Sequence, residues 1–287
     1  MAKISVVLAT RNEEENLAKC LISVKDIAAE IVVVDESSED RTVEIAKNFG
    51  AKVTVVEHTP IFHKTKQRAL ALAESEWILQ LDADEIVTKP LAEEIMKVTS
   101  MTQDELKNYE DTVFKNKLFA RHQKLLEERD GKIGDITGEY VAFFIPRLNY
   151  FLGKYLRYGG VYPDGVIRLV RHGKAFFPAK SVHEQIMVEG RVGWLKNDLI
   201  HMADPTFKRY LTRNSRYIDL LAADLKMEKT GKNLGQFLNY YLLRPIWWFF
   251  LTQIRHKGIL DGWQGIVFSF FSALRFPRAY HRYLKLK

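Results

Sequence analysis

Three carboxylates follow a short apolar run in the N-terminal half of the chain. The run covers residues 77–81, and Asp82, Asp84 and Glu85 come directly after it. It has the length of a buried strand, and in open α/β sheets ligands bind outside the carboxyl ends of the strands. Side chains two residues apart point to the same side of an extended chain, so Asp82 and Asp84 could share a hard cation such as Mg²⁺ or Mn²⁺. A solvated acidic turn is the alternative for an isolated pair with this spacing.

Strand and helix patterns alternate through the first 90 residues. In chain order they lie at 4–9, 17–24, 31–34, 38–50, 52–56, 64–74 and 77–81, beginning with a strand. Such alternation predicts an α/β fold with a mostly parallel sheet flanked by helices. No Gly-x-Gly-x-x-Gly follows the first strand, and Gly-x-x-x-x-Gly-Lys-Ser/Thr occurs nowhere. The dehydrogenase and P-loop classes therefore lose support, and a nucleotide bound here would need a metal to hold its phosphates.

Composition indicates a folded protein that is handled in a reducing compartment. The 287 residues are 47% hydrophobic and 28% charged, as in ordinary globular proteins. The single cysteine, Cys20, excludes an internal disulfide. The first eight residues lack the apolar length of a signal peptide and are typical of a strand.

Positive charge is concentrated in the C-terminal third. From His201 to Lys287 there are 15 Lys and Arg against 5 Asp and Glu, a net charge of +10. The whole chain has 43 against 36, a net of +7, so residues 1–200 carry −3 by subtraction. This asymmetry suggests an anionic surface as a partner, either membrane lipid or nucleic acid.

The same C-terminal region is rich in aromatic residues. Helical patterns are predicted at 207–229, 237–254 and 263–274, and 14 of the 34 aromatic residues lie from residue 237 onward. The apolar runs within 237–254 and 263–274 are both shorter than the ~18–20 residues that a membrane-spanning helix needs. Amphipathic helices of this composition lie flat in a bilayer interface, so residues 237–287 are predicted to contact an anionic membrane surface. A buried helical subdomain or a dimer interface is the alternative. The aromatics do not interleave with basic residues, which argues against nucleic acid.

Three segments together resemble a known family. Residues 5–13, residues 31–38 and residues 81–85 are similar, in order and spacing, to the N-terminal half of the family 2 glycosyltransferases. That resemblance implies the GT-A fold, a nucleotide-sugar donor and inversion at the transferred sugar. Members often carry two acidic residues at the second strand, and here the second place is filled by Glu36.

The resemblance also implies roles for individual residues. Ala9, Thr10 and Glu13 would line the nucleoside pocket, and Asp35 would hold the base or ribose. Asp82, with Ala83 beside it, would lie against the ribose and diphosphate, and Asp84 would ligate the metal. Two basic residues ahead of the acidic strand, Lys66 and Arg68, could reach the diphosphate, although a solvated helix face is the alternative for both.

Residues further along complete the predicted site. An inverting transfer needs a base for the acceptor hydroxyl, and Glu184 resembles the residue with this role in related enzymes. Asp164 and Glu189 are the weaker candidates. His201 resembles a C-terminal metal ligand, and imidazole suits Mn²⁺ better than Mg²⁺. A histidine satisfied by hydrogen bonds is the alternative.

A glycine-rich loop precedes the strand predicted at 166–171. Gly159, Gly160 and Asp164 are assigned to an acceptor-side loop, because GT-A enzymes have a glycine-containing loop near both sugars in this part of the chain. A plain turn is the alternative.

The C-terminal half resembles a subgroup of the same family, the bacterial lipopolysaccharide-core glucosyltransferases. Segments 168–169, 182–184 and 261–262 carry that resemblance. It implies transfer from a UDP-sugar to a lipid-anchored saccharide acceptor in cell-envelope glycan biosynthesis, with the enzyme peripheral on the cytoplasmic face of the inner membrane.

Two other functions and a domain division complete the predictions. Transfer to polyprenyl phosphate is a close rival, and a non-catalytic membrane scaffold with a transferase fold is a rival of another class. The predicted organisation is a catalytic domain at 1–204, with a nucleotide-binding half at 1–100 and an acceptor half at 101–204, followed by a basic, aromatic helical region at 205–287.

Overall fold

The computed structural model describes residues 3–113, 116–178 and 186–286. The chain forms two compact units. Unit 1 comprises Met1–Arg147 and Pro163–His201, and unit 2 comprises Leu148–Tyr162 and Met202–Lys287. The predicted base, Glu184, lies outside the described residues.

The strands and helices are numbered in chain order. The strands are β1 (Ile4–Thr10), β2 (Glu30–Asp35), β3 (Lys52–Val55), β4 (Trp77–Leu81), β5 (Glu85–Val87), β6 (Tyr140–Phe151), β7 (Lys154–Tyr155), β8 (Asp164–Arg171), β9 (Ala175–Phe176), β10 (Met187–Val188), β11 (Arg191–Trp194) and β12 (Leu199–Asp204). The helices are α1 (Leu17–Val24), α2 (Thr42–Asn48), α3 (Phe62–Ala71), α4 (Lys89–Thr99), α5 (Gln103–Val113), α6 (Lys117–Asp130), α7 (Phe207–Met227), α8 (Leu234–Leu238), α9 (Arg244–Phe250), α10 (Trp263–Ala273) and α11 (Arg275–Lys285).

The sheet of unit 1 is parallel in one half and antiparallel in the other. Strands β3, β2, β1 and β4 are neighbours in that order and run parallel, which confirms the prediction for the first 90 residues. Strand β8 then pairs antiparallel with β4, β6 pairs antiparallel with β8, and β11 pairs parallel with β6. The expectation of a mostly parallel sheet is therefore wrong for the second half. The segment between β6 and β8 contains no crossover helix, and antiparallel neighbours need none.

A short strand that was not predicted from the sequence follows the acidic residues. Strand β5 pairs antiparallel with the beginning of β12, so that His201 lies opposite Glu85. Three residues are too few to give a recognisable alternation. This pairing brings His201, at the end of unit 1, near the carboxyl end of β4.

Three helices, α4, α5 and α6, lie among the described residues between β5 and β6. Thr88 caps α4 by accepting a hydrogen bond from the Leu91 N–H, and Asn116 caps α6 by accepting one from the Leu118 N–H. Polar caps of this kind mark separate helix starts. Beneath α6, Trp194 is fully buried and stacks on Phe119 and Phe144, with ring centroids 4.7 and 4.6 Å apart.

Unit 2 is mainly helical. The helix predicted at 237–254 is a succession of α8, a π-helical turn at Asn239–Leu243, α9 and a second π-helical turn at Leu251–Arg255. The buried side chains around α7 and α11 include Ile218, Leu225, Tyr240, Tyr280 and Tyr283. Among the described residues, no helix has the length and apolarity needed to cross a membrane.

One acidic residue fixes the glycine-rich loop within unit 2. Asp261 is 3% exposed, and its carboxylate accepts the backbone N–H groups of Arg157 and Tyr158 at 2.8–3.2 Å. Gly159 and Gly160 follow with φ angles of +71° and +81°, a conformation that favours glycine. The loop is therefore held by its own unit.

Candidate active site

The carboxyl end of β4 carries Asp82 between two cations. Lys66 Nζ, from α3, lies 2.5 Å from Asp82 Oδ1, and the guanidinium of Arg168, from β8, donates to Asp82 Oδ2. Both cationic side chains are almost completely buried, whereas the Asp82 side chain is 29% exposed. Asp82 therefore lies at the open edge of a buried ion-pair cluster.

A second acidic residue extends this cluster inward. Glu85 is fully buried and accepts the Asp82 N–H at 2.9 Å through Oε2. Its Oε1 lies 2.7 Å from Arg168 Nη2 and 3.3 Å from Arg147 Nη1. Arg147 Nη2 in turn lies 2.7 Å from Asp164 Oδ2. Acidic and basic groups thus alternate from the end of β4 to the beginning of β8.

The cluster sets the ionisation of its members. Burial alone would raise the pKa of Asp82, but the charges of Arg168 and Lys66 hold it well below its usual value. Burial, followed by the charges of Glu85 and Asp84, raises the pKa of the Cys20 thiol well above its usual value. Asp82 is therefore ionised at neutral pH, and Cys20 behind the site is a neutral thiol.

Asp84 points to a different partner from Asp82. Its Oδ2 lies 3.6 Å from Nε2 of His201, and the two side chains are 16% and 14% exposed. A carboxylate oxygen and an imidazole nitrogen at this separation can both face one cation, and both are ligands used by Mn²⁺. Within residues 3–113, 116–178 and 186–286, no group of three or more His, Cys, Asp and Glu side chains is placed to hold a metal ion. The protein could thus supply two ligands here.

The predicted nucleoside-side residues lie at the ends of β1 and β2. Thr10 and Asp35 are opposite each other in the sheet, and Thr10 Oγ1 donates to Asp35 Oδ2 at 2.8 Å. Asp35 also accepts the N–H of Ser38 at 2.8 Å and the Ser38 hydroxyl at 2.6 Å. Its carboxylate is fully buried, and these hydrogen bonds make Asp35 part of the loop that follows β2. Ala9 is buried beside it.

Hydrogen bonds join the loop after β1 to the loop after β2. The Glu13 N–H donates to Thr42 Oγ1 at 2.7 Å, and the Asn12 N–H donates to Ser38 Oγ at 2.8 Å. Asn12 and Ser37 have φ angles of +54° and +51°, which are uncommon for residues with a side chain. The backbone beside the crevice is therefore fixed by side chains from both loops.

Glu36, the residue in the second acidic place, is fully buried. Thr65 donates to its Oε1, and His58 Nδ1 lies 2.7 Å from its Oε2. Both partners come from the segment after β3, so Glu36 joins this segment to the end of β2.

The other predicted site residues are not all brought together. Lys66 reaches Asp82, but Arg68 is exposed two residues further along α3. Ala83 is buried in the core. The three acceptor-side residues are divided, because Asp164 belongs to unit 1 and the two glycines belong to unit 2.

Sequence reasoning missed Arg147 and Arg168 as parts of the site. Arg168 interrupts a run of apolar residues in β8, between Ile167 and Leu169. A charged residue inside an otherwise apolar strand indicates a buried ion pair, because an unpaired buried charge is costly. That signal was available, although it does not name the partner.

The fold and the site together define a class of protein. A parallel half-sheet ends in a carboxylate crevice, and an antiparallel half continues it, which is a GT-A-like α/β arrangement. Residues 5–145 match the family described as "Glycosyl transferase family 2". Over these residues the chain is similar to this family, and it is a glycosyltransferase.

Relatives agree with this identification over nearly the whole chain. An uncharacterised glycosyltransferase of Rickettsia felis is 28% identical, over 100% of this chain and 93% of its own length. The lipopolysaccharide core biosynthesis glycosyltransferase LpsC of Rhizobium meliloti is 26% identical, over 95% and 91%. Among solved structures, glucosyl-3-phosphoglycerate synthase of Mycobacterium tuberculosis shares 29% identity over 31% of this chain and 37% of its own, with a TM-score of 0.28.

Proposed function

We propose that this glycosyltransferase transfers a sugar, with inversion, from a UDP-sugar to a saccharide on a lipid anchor during cell-envelope glycan synthesis. The observation that carries the proposal is the pair formed by Asp84 and His201, whose side chains lie 3.6 Å apart just after the end of β4. The relative named for lipopolysaccharide core biosynthesis supports the choice of acceptor.

Asp84 and His201 fit a divalent cation. The donor set is one carboxylate and one imidazole, and the remaining positions would be left to diphosphate oxygens and water, as is usual for Mg²⁺ or Mn²⁺. A bound cation would supply positive charge next to the departing diphosphate. The imidazole favours Mn²⁺ over Mg²⁺.

Asp82 has a different role in this proposal from the metal ligand first predicted. Both of its oxygens are engaged by cations, Lys66 at 2.5 Å and Arg168. We assign Asp82 to holding these two side chains at the edge of the crevice. From there Lys66 can approach the donor diphosphate while Asp82 itself stays ionised.

The acceptor hydroxyl requires a base, and Glu184 is proposed for that role. In a single displacement the hydroxyl oxygen attacks the anomeric carbon, the bond to the diphosphate breaks, and the hydroxyl proton passes to the base. Of the weaker candidates, Asp164 is already ion-paired with Arg147 at 2.7 Å and Glu189 is exposed. We therefore keep Glu184, which the resemblance to related enzymes indicates, as the proposed base.

Contact with an anionic membrane is proposed for residues 237–287, at the cytoplasmic face of the inner membrane. Large apolar side chains on α9 and its two π-helical turns are at least half exposed; they are Leu242, Leu243, Ile246, Trp247, Phe250 and Ile254. Four of them recur every three or four residues, so they share one side of the helix. Basic residues lie within or next to this segment, namely Arg244, Arg255 and Lys257. This arrangement suits a helix that lies flat among the lipid headgroups.

Two other functions remain as alternatives. A polyprenyl phosphate acceptor is already anionic, so transfer of the sugar to it would need no base. The match to the glycosyltransferase family favours an enzyme over a non-catalytic scaffold.

Calorimetric titration of the full chain with UDP, with Mn²⁺ or with a chelator, tests the proposed donor site. We expect UDP to bind only with the metal present, and metal-independent binding or no binding would count against the proposal. A donor screen with UDP-glucose, UDP-galactose, UDP-N-acetylglucosamine and GDP-mannose, scored by hydrolysis, then identifies the sugar.

A further inference from the structure

A pocket of about 360 Å³ lies in unit 1 between α3, α6 and the beginning of β8. This volume is in the range of sites for small ligands. The lining includes four cationic side chains, Lys66, Arg129, Arg147 and Arg168, and one carboxylate, that of Asp164. The acids that balance the buried cations, Asp82 and Glu85, do not line it. Cationic side chains therefore outnumber carboxylates on the surface that a ligand would meet, and each of these cations is also paired with an acid.

Two of these arginines have capacity for a further acceptor. The Nε–H groups of Arg147 and Arg168 are buried and have no hydrogen-bond partner within the described part of the chain. Buried donors are nearly always paired, and an unmet one costs free energy. Guanidinium groups bind oxyanions through several N–H groups at once, so an anion that reached these arginines would supply acceptors for such donors.

A histidine in the pocket lining, His122, can also donate a hydrogen bond to an anion. His122 Nε2 accepts the Gly165 N–H at 3.1 Å, so the ring proton is on Nδ1 and can be donated. Burial lowers the pKa of His122, which keeps this neutral tautomer at pH 7.

The position of the pocket separates it from the nucleoside side of the crevice. The strand order is β3, β2, β1, β4, β8 and β6, so the ends of β1 and β2 lie on one side of β4 and the pocket strands lie on the other. Strand β6, which carries Arg147, is two strand spacings from β4, or roughly 10 Å. A donor that extends from β1 and β2 to Asp84, with Lys66 beside its diphosphate, would leave the arginines of this pocket to the acceptor.

We propose that this pocket binds a phosphate group carried by the acceptor saccharide. The inference rests on the proposed function, because it assumes that the donor occupies the crevice at β1, β2 and β4. Three arginines in the lining favour a phosphate over a sugar carboxylate, because guanidinium groups bind the several oxygens of a phosphate through paired N–H groups. Binding there would orient the acceptor through a group remote from the reacting hydroxyl.

The test uses the full chain and inorganic phosphate as the probe. Phosphate affinity is measured by calorimetry for the wild type and for R129Q, R147K and R171Q. Arg129 is largely exposed and ion-paired only with the adjacent Asp130 among the described residues, so R129Q should fold even if R147K does not. R171Q is the matched control, because Arg171 lies on the same strand as Arg168 but pairs with Glu76 and Glu139 outside the pocket.

We expect R129Q and R147K each to weaken phosphate binding at least tenfold, and R171Q to leave it within twofold of the wild type. UDP with Mn²⁺ is titrated separately, and its affinity should be unchanged in R129Q. Equal phosphate affinity in all four proteins, or no phosphate binding by the wild type, would overturn the proposal.

Competition between the two ligands distinguishes the possible sources of the phosphate. If UDP displaces inorganic phosphate completely and binds more weakly in R129Q, the pocket holds the donor diphosphate and the acceptor assignment is wrong. If the wild type binds phosphate but not UDP with Mn²⁺, the proposed donor site fails while the basic pocket stands.

Discussion

His201 Nε2 lies 3.6 Å from Asp84 Oδ2, although the two residues are far apart in the sequence. The contact depends on β5, a strand of three residues that pairs with the beginning of β12 and sets His201 opposite Glu85. A carboxylate from the end of the central strand and an imidazole from the end of unit 1 thus meet at one point. This pair is the metal site that we propose.

The ion pairs of Arg168 should matter for stability as well as for the site. Replacing Arg168 with Met leaves Asp82 and the buried Glu85 without a main cationic partner, so unfolding should become easier by about 3 kcal/mol. Arg171→Met on the same strand removes only partly exposed pairs and should cost below about 1 kcal/mol. Urea unfolding of both variants measures the difference, and equal losses would contradict a buried network.

Glu110 should make the stability of the fold depend on pH. Burial raises its pKa from 4.5 to about 7, and it accepts the Trp194 N–H at 2.7 Å. Because the folded-state pKa is the higher one, its contribution is complete below the unfolded-state pKa and is lost as the pH rises through about 7.

The variant E110Q keeps the acceptor oxygen for Trp194 and cannot ionise. Its stability relative to the wild type should rise by about 2 kcal/mol from about pH 5 to about pH 8, measured by urea unfolding at each pH. D111N, at the exposed neighbouring position, should show no such trend. A constant difference between E110Q and the wild type across this range would refute the assignment.

Much of the parallel half of the fold was predictable from the sequence, and the reason lies in local patterns. The apolar runs that form β1, β2 and β4 are continuous because both faces of these strands are covered, and the carboxylates at the ends of β2 and β4 mark where the chain leaves the sheet. The antiparallel half gave a weaker signal. Strand direction after β4 is decided by pairing between distant segments, which no local pattern records.

The sequence predicted the residue types of the candidate site better than the contacts between those residues. Asp82 and Asp84 share a spacing that suggests one shared cation, yet the structure turns them to different partners. Asp82 meets Lys66 and Arg168, whereas Asp84 meets His201. Which partner a carboxylate finds depends on how β8 and β12 arrive beside it, and that is a property of the tertiary structure.

The exposed apolar face of unit 2 should bind lipid vesicles. Replacing Trp247 or Ile254, which are 60% and 71% exposed, with Glu puts a charge into the proposed buried layer. Sedimentation with vesicles that contain anionic lipid should show at least about tenfold weaker binding for each variant. Ile136→Glu is the matched control, because Ile136 is 82% exposed but lies in unit 1. Equal binding by all four proteins would contradict a membrane-facing role.

Glu184→Gln separates the two kinds of acceptor. If the acceptor is a sugar hydroxyl, loss of the base should reduce the transfer rate by at least about a hundredfold. If the acceptor is a polyprenyl phosphate, the nucleophile is already ionised and most activity should remain. Initial rates with each acceptor type, together with unchanged UDP affinity, give the answer. E189Q is the matched control, since Glu189 is the exposed alternative.

The most direct measurement is the affinity for UDP with and without Mn²⁺ in the wild type, D84N, H201A and the exposed control H172A. The wild type and H172A should bind UDP in a metal-dependent manner. D84N and H201A should each bind at least about tenfold more weakly in Mn²⁺, because each removes a metal ligand. Metal-dependent UDP binding of wild-type strength in both D84N and H201A would contradict a metal site between Asp84 and His201.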